Sequence, residues 1–181
     1  MEISYITQPD IQFGTIITNC IISDPKPQKI IFVSAFVSLQ TVMRFKDSII
    51  NNLTHGSIIR FVLGIDMGGT SQEVLQELIT WGVECKIVKN RIPGHTFHPK
   101  IFLFEWDNSA NILIGSNNMT EGGFYRNYEG SAKIIYNFPS DHEEYNQSLG
   151  QLSRFIEPDN SITYDLTEDF LSQLIINNDV P

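Results

Sequence analysis

The chain has few cysteines, few basic residues and no long apolar run. Of its 181 residues only Cys20 and Cys85 are cysteines. Both sit in apolar surroundings, and two thiols cannot build the disulfide framework of a small secreted domain. A reducing, cytoplasmic setting is expected. No apolar stretch approaches the roughly 20 residues that cross a bilayer. Met1-Glu2-Ile3-Ser4 has neither the basic nor the apolar segment of a signal peptide, so no membrane association is expected. Walker-type phosphate loops, Cys-x-x-Cys pairs, internal repeats and low-complexity linkers are all missing. The length suits a single domain over 1–181 with a sizeable core.

Lys and Arg number 12 against 21 Asp and Glu, a net charge of −9. Taken alone, this balance speaks against a nucleic-acid partner. Its distribution weakens the argument, because residues 141–181 hold nine acids and one base, Arg154. Meanwhile Lys86, Lys89, Arg91 and Lys100 cluster within fifteen residues. The acidic C-terminal part reads as a solvated helical face, and the basic cluster as a candidate phosphate track.

Apolar patterning defines the fold class. Residues 30–36 and 57–63 read as buried strands and 84–88 as a third. Between them, 39–53 carries a helical stripe ended by Gly56. Thr70-Ser71-Gln72-Glu73 reads as a capping box before a second helix. This β-α-β-α-β order predicts a parallel sheet with covering helices. Residues 100–106 and 111–114 then read as a hairpin across 107–110, and 127–137 as a further strand with Ile134 and Ile135 buried. Two helices follow, one from Asp141 with a stripe of Tyr145, Leu149, Leu152 and Phe155, the other from Thr167. The expected architecture is α/β, a mixed but mostly parallel sheet sandwiched between helices. The loop 64–70 reads as an ordinary strand-to-helix turn. His95 and His98 have no Cys or carboxylate at ligand spacing, so no metal site is expected.

Chemistry concentrates between 97 and 129. His98 and Lys100, two apart on a strand, share a face. Ser116 and Asn118 follow the next strand, and Glu129 lies on the one after. Side chains at the ends of neighbouring strands can converge. A nucleophilic imidazole, a fixed cation, neutral donors and an orienting acid form a set suited to phosphoryl transfer without a cofactor.

The segments Phe97-His98-Pro99-Lys100, Gly115-Ser116-Asn117-Asn118-Met119-Thr120 and Asn127-Tyr128-Glu129 resemble the phospholipase D superfamily, with its His-x-Lys, Gly-Ser-x-Asn and later glutamate. Glu105 stands where the family has an Asp, and the gap to Gly115 is longer than usual. The wording is most similar to the restriction-endonuclease branch, the NgoFVII-type nucleases. The resemblance implies a phospholipase D-like fold and His98, Lys100, Ser116, Asn118 and Glu129 as catalytic residues. It also implies a homodimer, since one motif copy is present and the superfamily uses two. One His98 would attack phosphorus while that of the second copy protonates the leaving oxygen. Glu129 would accept a hydrogen bond from the His98 ring, and Glu105 would tether structure. The expected activity is metal-independent phosphodiester hydrolysis, DNA being the expected substrate, with Lys86, Lys89, Arg91 and Arg126 as substrate-binding residues. Two rival readings are a phospholipid phosphodiesterase of the same superfamily and a non-catalytic nucleic-acid-binding or dimerisation module.

Overall fold

Because residues 30–33 are apolar on both sides, they belong in the middle of a sheet covered on both faces. In the computed structural model, which describes residues 1–90, 92–159 and 161–181, they lie in β2 (Lys29–Ser34) near the centre of an eight-stranded sheet. The other strands are β1 (Glu2–Gln8), β3 (Ile58–Gly64), β4 (Glu84–Val88), β5 (Ile101–Glu105), β6 (Ser109–Gly115), β7 (Glu129–Asn137) and β8 (Thr163–Asp165). Their spatial order is β1-β7-β6-β5-β2-β3-β4-β8.

The sheet is mixed, as the sequence predicts, but not mostly parallel. Only β2–β3 and β3–β4 pair in parallel. β5, β6 and β7 add an antiparallel meander, β1 returns to pair with β7, and β8 pairs antiparallel to β4. The hairpin between β5 and β6 is tight, with Trp106 N–H donating to Ser109 C=O at 2.8 Å. Short hairpins force antiparallel pairing, which outweighs the parallel start of the chain.

Five helices cover the sheet unequally. α1 (Phe13–Ile21), α2 (Leu39–Thr54), α3 (Gln72–Trp81) and α5 (Glu168–Ile176) contribute to one apolar cluster with Phe32, Phe61, Phe102 and Phe104. α4 (His142–Ile156) alone packs the other face, through Tyr145, Leu149, Leu152 and Phe155 against Ile31, Val33, Leu103 and Ile112. Eight strands at about 4.8 Å span about 34 Å, and one helix is about 10 Å wide. The β1-β7-β6 end of that face is therefore left open. Ile3, Tyr5 and Ile114 are exposed there; Ile134 on that face and Ile135 on the other, both expected to be buried, are only half-buried.

Buried polar groups fasten the helices. Asn52 Nδ2 donates to the Ile21 and Ser48 carbonyls at 2.9 and 2.8 Å, tying α2 to α1. The expected capping box does not form: α3 starts one residue later, with Ser71 at the N-cap and apolar Val74 at the third helical position. Thr70 is instead buried and donates to Gly64 C=O at 2.8 Å, closing the 64–70 loop. Thr167 caps α5 as expected, accepting from Phe170 N–H at 3.1 Å.

Candidate active site

All five candidate catalytic residues lie at one end of the sheet. There β2, β3 and β4 finish, β5 begins, β6 ends and β7 begins. Open α/β sheets place their sites at the carboxyl ends of parallel strands. The structure thus brings His98, Lys100, Ser116, Asn118 and Glu129 to a common rim.

His98 and Lys100 lie just ahead of β5 rather than within it. The Lys100 ammonium nevertheless stands 2.6 Å from Nδ1 and 2.9 Å from Nε2 of the His98 ring, and donates to His98 C=O at 2.9 Å. Lys100 is buried, whereas His98 is exposed, with Phe36 edge-on at 5.8 Å. Partial burial and, second, the neighbouring ammonium both lower the His98 pKa, favouring the neutral ring. Burial lowers the Lys100 pKa as well, and the Glu129 carboxylate opposes that shift. The lead-in is held by the 64–70 loop: Asp66 Oδ2 accepts from Phe97 N–H at 2.9 Å.

Ser116 donates to Glu129 Oε2 and accepts from Gly130 N–H at 3.1 Å, while Asn127 Nδ2 donates to Glu129 Oε1 at 3.1 Å. This corrects one expectation, since no hydrogen bond joins Glu129 to the His98 ring among the described residues. Glu129 organises Ser116 and supports Lys100 instead. Asn118 Oδ1 accepts from Phe36 N–H at 3.2 Å. Its Nδ2 then remains a donor for an incoming oxygen.

Several residues that hold this rim escaped the sequence reading. Buried Ser34 donates to Phe36 C=O at 2.8 Å and accepts from Met119 N–H at 3.0 Å, locking the end of β2 to the Asn118 loop. Buried Asn117 donates to Gly123 C=O at 2.7 Å and accepts from Ser131. Gln8 is buried and reaches from β1 to the Gly122 and Asn127 carbonyls at 3.1 and 2.9 Å. These contacts hold a π turn at Gly122–Arg126, a rare form that often marks functional sites. A side chain at Gly123 would meet the Asn118 carbonyl oxygen at 2.2 Å, and one at Gly115 the Ser131 hydroxyl and Gly130 carbonyl oxygens at 2.0 and 2.4 Å. The only sequence signal was small and polar residues packed closely around the motif.

The basic track fares differently. Lys86 pairs with Asp165 at 2.6 Å and Lys89 with Asp179, so the acidic C-terminal part neutralises both. They do not form the open cationic surface the sequence suggested. Arg126 is exposed beside the π turn, and Arg91 lies outside the described residues. Glu105 sits at the far end of β5, where it accepts from Tyr145 O–H at 2.6 Å, a tether remote from the rim. Burial and that carboxylate push the Tyr145 pKa upward. Among the described residues no three His, Cys, Asp or Glu side chains are grouped to hold a metal ion, and no helix is long and apolar enough to cross a membrane.

Residues 20–152 match the protein family described as "Cardiolipin synthase, PLD-like domain". No curated protein sequence matches the chain. Among solved structures, Nuc from Salmonella typhimurium, a phospholipase D family member, is similar over 91% of this chain and 97% of its own, at 16% identity and TM-score 0.61. NucT from Helicobacter pylori is similar over 83% of this chain and 93% of its own, at 14% identity and TM-score 0.57. Phosphatidylserine synthase from Haemophilus influenzae Rd KW20 is similar over 98% of this chain but 46% of its own, at 12% identity and TM-score 0.62. At these identities the likeness is one of fold.

Gly115→Ala should force β6 away from β7 and part Ser116 from Glu129. The expected outcome is a folded protein with an altered amide spectrum around 114–118 and 129–131, and at least about tenfold lower turnover. Unchanged spectra and turnover would show that the close approach is not needed.

Proposed function

The chain belongs to the PLD-like domain family, and from that premise we propose that it is a metal-independent phosphodiesterase, an endonuclease that hydrolyses DNA. The observation that carries the chemistry is the neutral, exposed His98 ring against the buried Lys100 ammonium. A neutral imidazole is a nucleophile, and a fixed cation beside it attracts the phosphate it must attack. In the first step a His98 nitrogen bonds to phosphorus, and the ester P–O bond breaks as the leaving oxygen takes a proton from His98 of a second copy. In the next, water attacks phosphorus, gives its proton to that second imidazole, and the P–N bond breaks. Lys100 and Asn118 hold the non-bridging oxygens, and Ser116, oriented by Glu129, assists. Losing one such donor typically costs about 3–4 kcal/mol of transition-state stabilisation.

One chain supplies one such histidine, so the mechanism needs a homodimer with the site on its two-fold axis. The uncovered apolar face beside the rim supports this reading. Cross-strand neighbours Tyr5, Ala132 and Ile114 form a row across β1, β7 and β6, and Tyr5 is 79% exposed. Tyr128, 90% exposed, stands just ahead of β7. The DNA preference and a place in a restriction enzyme rest on the motif's wording; a lipid substrate would call for an apolar or basic membrane-facing helix.

Three outcomes test this reading. Plasmid and single-stranded DNA should be cut in excess chelator, and His98→Ala should lower the rate by at least about 10³-fold; activity abolished by chelator and restored by magnesium would refute the mechanism. Tyr5→Asp should shift the protein from dimer to monomer in sedimentation equilibrium and lower its specific activity at low concentration, whereas an intact dimer would place the interface elsewhere. Finally, because burial and Lys100 lower the His98 pKa, the neutral nucleophile persists to lower pH than an ordinary imidazole. The acid limb of kcat/KM should fall below the ordinary imidazole value of 6.5. A limb above that value would mean that His98 is not the titrating nucleophile.

A further inference from the structure

A cleft of about 610 Å³ opens beside His98, between residues 95–99 ahead of β5 and the C-terminal end of α4. Phe97, His98 and Pro99 of the motif form one wall, but the α4 wall lies outside the motif and the proposed chemistry assigns it no role. Phe97 and Phe155 form its aromatic part, with ring centroids 6.4 Å apart, and both rings are only partly buried. Ile92, Pro99, Pro158 and Ile162 extend the apolar lining. Arg154 is exposed at the rim on the last turn of α4, and among the described residues it makes no ion pair. Glu157 lies 3.5 Å from the Arg60 guanidinium, and Asp159 accepts from Ser161 N–H at 2.7 Å, with the Arg154 charge a smaller contribution to holding its pKa down. Among the described residues the Arg154 guanidinium has no hydrogen-bonded partner, so its donors can serve an anion.

We propose that this cleft is the subsite for an unpaired nucleotide next to the scissile phosphate, its base against Phe97 and Phe155 and its neighbouring phosphate on Arg154. The inference rests on the phosphodiesterase reading of His98 and adds to it the substrate's state. Every base has a flat apolar face that aromatic side chains can hold, whatever the sequence. In a duplex those faces are stacked on one another, so only a single-stranded or extruded nucleotide can use the cleft. Arg154 supplies the cation that the paired Lys86 and Lys89 do not, and a guanidinium matches phosphate oxygens bidentately. An acyl chain would fit the apolar lining alone, but it would leave Arg154, Ser153, Ser161 and His95 at the rim without a role.

The test compares three substrates in full-length wild type, Arg154→Ala and Phe155→Leu, which keeps bulk but removes the aromatic face. The substrates are short oligothymidine, an abasic tetrahydrofuran strand of the same length, and bis(p-nitrophenyl) phosphate. Wild type should cut oligothymidine faster than the abasic strand. Arg154→Ala should lower kcat/KM on oligothymidine by about tenfold more than on bis(p-nitrophenyl) phosphate. Phe155→Leu should remove most of the preference for oligothymidine over the abasic strand. Equal effects of both variants on all three substrates would overturn the subsite while leaving the phosphodiesterase reading intact. So would an Arg154-dependent hydrolysis of phosphatidylglycerol vesicles without any base preference. Wild type inert on all three substrates would overturn the phosphodiesterase reading itself, and the subsite with it.

Discussion

A cation held inside the protein at the end of a β-sheet sets the terms for everything around it. Lys100 is only 5% exposed, and an ammonium taken out of water is costly unless other groups answer it. The response comes from two residues. The imidazole and carbonyl of His98 lie against it, and the Glu129 carboxylate favours its charged form. Glu129 is in turn fixed by Ser116 and Asn127. The same residues that make the buried charge tolerable are those that would meet a phosphate. Structural need and chemical capacity are therefore one arrangement, and a change to any member acts on both.

Much of this was legible in the sequence because the pattern is local. The apolar run of β2, the helical stripe of α2 and the limits of β4 follow from periodicity, and the residues of the rim sit at strand ends that periodicity can locate. What was not legible depends on distant pairing. β1 exposes Ile3 and Tyr5 while burying Ile6 and Gln8, so its alternation gives no clear inward face until β7 is beside it. Three-residue β8 has too little pattern to be seen alone. The basic cluster read as a phosphate track because Asp165 and Asp179 lie far along the chain from Lys86 and Lys89. Only the folded sheet brings them together. Thr70 was read as a helix cap and Ser34 was missed for the same reason, since each satisfies backbone groups that the fold alone places within reach.

The unequal helical cover has a simple origin. α1, α2, α3 and α5 occupy one face, and a single helix has to serve the other. α4 settles over the central strands, where Val33, Leu103 and Ile112 are most apolar on that side. The outer strands keep a surface that no element of the same chain reaches. That surface borders the rim of His98 and Ser116 through consecutive cross-strand rows, Tyr5–Ala132–Ile114 and then Thr7–Gly130 beside Ser116. Whatever lies on the sheet there is felt one row away by the Ser116–Glu129 pair.

The end of the chain is stitched into the same neighbourhood. Val180 is buried, the backbone oxygen of Pro181 accepts from Gln72 N–H at 3.0 Å at the start of α3, and the Pro181 ring faces Gly68. Gly68 belongs to the turn whose Asp66 holds Phe97. Pro181 thus lies at the His98 end of the sheet, against the turn that holds the lead-in to His98. A tag joined after Pro181 would crowd that turn, whereas one joined ahead of Met1, whose backbone nitrogen lies 2.7 Å from Asp141, would sit at the opposite end of the sheet.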